Sequence, residues 1–353
     1  MEYSDKIMGQ LRTVSETLMP GENMPDDVGL LTGKTGIALF FFHLARGTGN
    51  NVYEDYAAEL IDRILESLHQ VKTVTYANGL AGFGAGISYL IKQQFIEGDA
   101  DKVLKGIDNI IQRHTPYYLN ATSETGDGKI GLGKYYTERL TNKTGLTVTG
   151  LNQTHLSSII QALSCPYTTY RELFSVIHFL PDVMSSGVEP EKTEAYLNYA
   201  VDKMETKVYE DAYFGFYPAG GFNPLYAATL LCRASAKTGK EMYSDKAQQY
   251  LYRYEPGFRV QLNSDLQVNR LKWSFLYRYL GQRFQNNELL QLSDKWLADS
   301  LTKEFDGNTF MGLLEGCAGA GMYLLSLNNL CSDEWLDIVP FYLEKITPQI
   351  ITP

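Results

Sequence analysis

Apolar residues along the chain recur at helical spacing, in two alternating kinds of segment. One kind is apolar on a single face. Near the N-terminus Ile7, Leu11, Val14 and Leu18 form such a stripe. From Tyr53 to Val71, Tyr56, Leu60, Ile64 and Leu68 repeat it, while Glu59, Asp62, Arg63 and Glu66 take the opposite face. The other kind opens with glycines and then runs apolar on most sides. Examples are GLLTGKTGIALFFFH from Gly29, NGLAGFGAGISYLI from Asn78, GKIGLGKYY from Gly128 and GLLEGCAGAGMYLL from Gly312. Alternation of the strand type is weak throughout. One-faced helices suit an outer layer, and helices apolar all round suit an inner layer beneath it.

The glycine elbows recur at a regular interval. Anchored at Gly33, Gly82, Gly128 and Gly316, the first two steps are 49 and 46 residues, and the remaining 188 divide into four steps of 47. Further elbows are therefore expected near 175, 222 and 269, and RELFSVIHFL, GGFNPLYAATLL and NRLKWSFLY begin helical segments close to those places, which sets the elbows near 171, 220 and 268. Seven two-helix units result, so the expected fold is an all-α, α/α toroid formed by residues 1–353 as one domain, with its inner helix starts gathered around one mouth. Taken alone, such glycines point to turns and close packing rather than to a ligand role.

Composition narrows the function. The formal charge is −10, and the cationic cluster from Arg270 to Lys272 is too small to neutralise a phosphate backbone, which excludes nucleic acid as a partner. No run of 18 or more uncharged apolar residues spans a membrane, and the acid-bearing N-terminus does not read as a signal peptide. Cys165, Cys232, Cys317 and Cys331 stand far apart without a CxxC pair, an arrangement suited to a reducing cytoplasm.

The texts GLLTGKTGIALFFFHLARGTGNNVYEDYAAELID, NGLAGFGAGISYLI and GLLEGCAGAGMYLLS resemble the first, second and seventh repeats of the LanC-like family, the lanthionine synthetase C-like peptide cyclases, particularly its Bacteroidetes members. The resemblance covers nearly the whole chain. It implies an α/α barrel and, in active members, a zinc ion bound by a Cys in WCYG of repeat five and a Cys-His pair in CHG of repeat six. A catalytic His lies in repeat four and a catalytic Asp ahead of the repeat-three glycines. Zinc would deprotonate the substrate thiol, which then adds to a dehydroamino acid; a free thiol near neutrality is only a few per cent thiolate.

Carried over residue by residue, that chemistry is missing. Arg171 falls where the family has its His, and Gly221, followed by Phe222 and Asn223, falls at the repeat-five Cys. The Cys-His pair falls within Leu266 to Asn269, and another register, matching Arg270 to the family's arginine, puts Ser274 at a Cys position. No thiolate or imidazole is recovered, so the chain reads as a degenerate member from which zinc is absent. His43, His69 and His178 read as helix histidines and His155 as lying on an outer helix; Cys317 reads as a small core residue.

Three readings remain. The first is a pseudoenzyme of a lanthipeptide-type pathway that binds a precursor peptide or a pathway enzyme, through a mouth lined by Lys34, Lys129, Arg171, Asn223, Lys272 and Glu315. The second is an enzyme with rebuilt chemistry: a zinc-free cyclase using Arg171, Lys129 or Arg270, or a carbohydrate-active barrel using a pair of acids among Glu124, Asp127 and Glu315. The third is a structural interaction module.

Overall fold

The computed structural model describes residues 3–19, 24–120, 128–141, 146–163, 167–213, 222–259, 267–302 and 310–342. Among them are fifteen α-helices and no strand. Helix α1 (Ser4–Leu18) opens the chain. Six helical hairpins follow: α2 (Lys34–Thr48) with α3 (Asn51–Ser67), α4 (Leu80–Lys92) with the short α5 (Ala100–Val103) and α6 (Lys105–Leu119), and α7 (Lys129–Thr141) with α8 (Leu146–Ala162). Then come α9 (Tyr170–Ser186) with α10 (Pro190–Tyr213), α11 (Pro224–Thr238) with α12 (Glu241–Arg259), and α13 (Gln267–Arg283) with α14 (Asn287–Ser300). Helix α15 (Cys317–Leu327) is the last.

The inner helices touch in the cyclic order α2, α4, α7, α9, α11, α13, α15 and back to α2. This is the expected α/α toroid of seven units, closed by α1, which packs on α15 as the outer helix of the seventh unit. The N-terminal stripe of Ile7, Leu11, Val14 and Leu18 is buried there. Each inner helix returns through an outer one, so inner helices share a direction and their N-termini gather at one end.

Burial follows the two patterns of the sequence. Every residue from Thr35 to Ala45 in α2 and from Leu80 to Leu90 in α4 is buried, whereas α3 buries only Ala57, Leu60, Ile61 and Ile64. His69 lies beyond α3 in a 3-10 turn, Leu68–Gln70, rather than within a helix.

The elbow spacing needs one correction. Gly33, Gly79 and Gly316 are the residues that cap α2, α4 and α15. Gly82 is instead the third residue of α4 and corresponds to Gly36 and Gly319. A Cβ at Gly36, Gly82 or Gly319 would stand 2.2, 1.9 or 2.0 Å from the carbonyl oxygen of Leu30, Tyr76 or Leu313, each six residues earlier. The elbow curls back so tightly over the helix start that nothing larger than glycine fits. That curl feeds the helix: the Leu80, Ala81 and Gly82 amides donate to the Thr73, Val74 and Thr75 carbonyls, and Cys317, Ala318 and Gly319 repeat the pattern on Phe310, Met311 and Gly312. Adjacent elbows are also joined, by Leu314 N to Leu31 O and Leu31 N to Ala77 O.

The centre of the ring is occupied by the chain's own C-terminal segment. After α15 a 3-10 turn, Glu334–Asp337, leads into Ile338–Tyr342, and Trp335, Leu336, Ile338, Val339, Phe341 and Tyr342 are all buried. The segment touches six of the seven inner units. Tyr76 Oη donates to Ile338 O at 2.8 Å, Lys134 Nζ to Asp337 O at 2.9 Å and His178 Nε2 to Leu336 O at 2.8 Å. Arg233 and Lys237 pair with the Asp337 carboxylate, Trp335 packs on Phe275, and its indole N–H donates to Ser326 Oγ. Phe341 and Tyr342 then climb toward the helix starts, against Tyr226 and Phe174.

Candidate functional site

The inner helix starts are not alike around the ring. In units seven and two the first three helix amides are taken by elbow carbonyls, and in unit one the Lys34 amide is taken by Asp27 O. In units four and five side chains do the capping. Thr169 and Glu172 form a capping box on α9, and Asn223 Oδ1 accepts from the Leu225 and Tyr226 amides at the start of α11. Polar and cationic residues stand directly behind these caps.

Of the mouth residues expected from the sequence, Lys34 begins α2 and reaches the Asp26 carbonyl at 3.4 Å. Lys129 begins α7, is buried, and donates to Ala162 O at 3.0 Å across to α8. Asn223 is committed to its cap. Arg270 is buried and pairs with Asp299 at 3.1 Å, outward toward the end of α14. Lys272 is buried with its ammonium 5.4 Å from the Tyr226 ring centre, 5.5 Å from that of Trp273 and 4.0 Å from Glu315. Glu315 holds φ at 54°, a left-handed conformation costly outside glycine. Glu124 and Asp127 lie outside the described residues, so no carboxylate pair is defined with Glu315.

Arg171 is the second residue of α9. Its neighbours on the helix bind elsewhere: Glu172 accepts from the Thr168 and Thr169 amides, and Tyr170 Oη donates to Asp211 of α10, which also pairs with Lys207. The Arg171 Nε is buried with no acceptor, and the Trp273 indole N–H is likewise buried with none. The two groups flank one aromatic cluster. Phe174 meets Tyr226 edge-on at 6.2 Å, and Tyr226 stacks on Trp273 at 5.5 Å. Tyr342 closes this cluster from below; burial raises its hydroxyl's pKa while Ser175 and the Arg171 guanidinium beside it pull the other way. The C-terminal segment, for which the sequence offered no signal, is thus the floor of the mouth.

The described residues do not supply a zinc donor set. Arg171 is a cation, Gly221 and Leu266 lie outside the described residues, and Gln267, Val268 and Asn269 offer amides and an alkyl group. Ser274 exchanges hydrogen bonds with Ser293 of α14, so it faces the outer layer and not the mouth. No group of three or more His, Cys, Asp or Glu side chains among the described residues is placed to hold a metal ion. His43 is buried against Tyr89, and desolvation, with Arg46 nearby, lowers its pKa to about 3. His155 stacks on Tyr136 from the outer helix α8, and His178 is tied to the C-terminal segment.

Nor do Cys232 and Cys331 offer an activated thiol. Cys317 is fully buried at the first turn of α15. Burial pushes the Cys232 and Cys331 thiols up to about 12, the direction opposite to activation. Cys165 lies outside the described residues. Grooves also mark the outer wall, one of about 500 Å³ between α10 and α12 lined by Tyr209, Lys246, Tyr250, Arg253 and Tyr254; none of the mouth residues borders it.

Residues 24–177 match the family model of lanthionine synthetase C-like proteins. Among solved structures the chain is similar to nisin cyclase, with a TM-score of 0.66 at 14% sequence identity, covering 95% of this chain and 98% of that one. No curated protein matches it. The family match spans the glycine-elbow units one and two, unit three and the first half of α9. The structural likeness extends the toroid to the rest.

Proposed function

We propose that the chain is a LanC-like protein of a lanthipeptide-type modification pathway that binds a peptide, or a partner enzyme of that pathway, at the mouth of its toroid without zinc-dependent cyclisation. The family match over residues 24–177 and the likeness to nisin cyclase support the pathway. One observation carries the rest: where the resemblance calls for an imidazole in unit four stands Arg171, a side chain that cannot give up its proton and does not bind zinc as an imidazole does.

With no imidazole and no group of metal-ligating side chains at the mouth among the described residues, the chemistry favoured there is recognition. The site offers a guanidinium, an ammonium held over two rings and an indole N–H, all suited to holding a ligand still. Calorimetric titration of the full chain with the precursor peptide encoded beside its gene, together with metal analysis, tests the proposal. Saturable binding without stoichiometric zinc is expected. Stoichiometric zinc, or no binding of precursor peptide or pathway enzymes, overturns it.

A further inference from the structure

We infer that the mouth between α9, α11 and α13 is an oxyanion site for a carboxylate side chain of a bound peptide, with Arg171 as its principal anchor. The inference deepens the peptide-binding reading above and rests on it.

The first ground is an unmet cation. A half-buried guanidinium normally finds a carboxylate or carbonyl, because leaving a buried donor without an acceptor costs free energy. Arg171 has a buried Nε with no acceptor. Glu172, beside it on α9, accepts from the Thr168 and Thr169 amides, and Asp211 of α10 accepts from Tyr170 Oη and pairs with Lys207. The second ground is the Trp273 indole, 6% exposed, whose N–H also lacks an acceptor. An indole N–H only donates, and a guanidinium only donates. A ligand that meets both must therefore bring acceptors, and the charge of Arg171 asks for a negative one.

The third ground is the setting. Lys272, between the two rings of Tyr226 and Trp273 and 4.0 Å from Glu315, adds positive field without being the direct ligand. The protein as a whole carries a formal −10, so this cationic spot is a local reversal that would steer an acidic segment to one place. Tyr342, Phe341 and the rest of the C-terminal segment fill the axis below. A ligand is thereby confined to the surface of the mouth, where a planar carboxylate can lie against the guanidinium with both oxygens engaged.

The test uses the full chain and two blocked peptides of equal length, one glutamate-rich and the other with every glutamate replaced by glutamine. Calorimetry is expected to show about tenfold tighter binding of the glutamate peptide, the size of one charge-assisted contact. Arg171→Gln should erase that preference and Arg171→Lys keep part of it, since an ammonium retains the charge but loses the paired geometry. Should Arg171→Gln fail to fold, the Nε–H resonance of the wild type that vanishes in Arg171→Lys gives a second readout: it moves with the glutamate peptide and not with the glutamine one. Equal affinity for the two peptides, or a preference that survives Arg171→Gln, overturns the oxyanion assignment while leaving binding of the precursor peptide intact. An equal shift of the resonance with sodium phosphate alone overturns the peptide carboxylate as its ligand.

Discussion

The ring begins its inner helices in two ways, and the contrast between units seven, one and two and units four and five separates what holds the fold from what can meet a ligand. In the first set the elbow backbone caps the helix: Lys34 N bonds to Asp27 O, Leu80 N to Thr73 O and Cys317 N to Phe310 O. The same register recurs three times, and elbow bonds to elbow. In the second set Thr169 and Asn223 cap with side chains, and Arg171, Phe222 and Tyr226 stand beside those caps.

The sharpest way to break this contrast is Gly82→Ala. Its Cβ would sit 1.9 Å from Tyr76 O, a backbone atom that also cannot retreat, because the elbow amides and carbonyls around it are paired. A loss of at least about 3 kcal/mol is expected in urea denaturation, if the variant folds at all. Gly106→Ala is the control. Gly106 also lies within a helix, α6, but a Cβ there meets nothing within 4 Å, so a gain of about 0.5–1 kcal/mol is expected. Equal effects at both positions would show that the elbow glycines are ordinary helix glycines.

The same contrast explains what could be read from the sequence. Glycine elbows announce themselves, because a position that admits no Cβ leaves a residue-specific mark at each repeat. They fixed the helix count and the ring, although pairing Gly33 with Gly82 mixed a cap with a third helical residue. Thr169 and Asn223 leave marks that many residues could replace, so the elbows near 171 and 220 rested on spacing alone. The closure by α1 was not visible, since an amphipathic stripe such as Ile7 to Leu18 does not say which helix it will meet. The C-terminal segment was invisible for a related reason: Trp335 to Tyr342 has no period, and only its place on the axis buries it. Arg171 could be located at the mouth, but that its Nε lacks an acceptor depends on where Glu172 and Asp211 turn.

A smaller effect distinguishes the interior of the two regions. His43 lies between units one and two, and His178 lies on the axis beneath Lys134, Lys237 and Arg233; burial keeps both neutral, lowering His43 to about 3 and His178 well below its usual value. The unfolded chain takes up protons on both below pH about 6.5 while the folded chain does not, so stability is full above that pH and falls as pH drops. Each histidine contributes a slope of about 1.4 kcal/mol per pH unit. Denaturation measured from pH 7 to 5 should show both, and His43→Gln should remove about half of the slope. An unchanged slope in that variant would mean His43 is protonated in the fold.

The smallest effects belong to the side-chain caps. Asn223→Ala removes the acceptor for the Leu225 and Tyr226 amides, and about 1 kcal/mol should be lost. Thr169→Ala should cost less, because Glu172 still accepts from the Thr168 and Thr169 amides after the hydroxyl is gone. Neither variant forces one backbone through another, so both should fold and melt cooperatively, unlike Gly82→Ala. Their effects on binding separate them. Thr169 stands two residues ahead of Arg171, and a frayed first turn of α9 would let the guanidinium swing, so Thr169→Ala should blunt the preference for the glutamate peptide more than its stability loss suggests. If the cap variants proved as damaging as Gly82→Ala, units four and five would be as rigidly specified as units one and two.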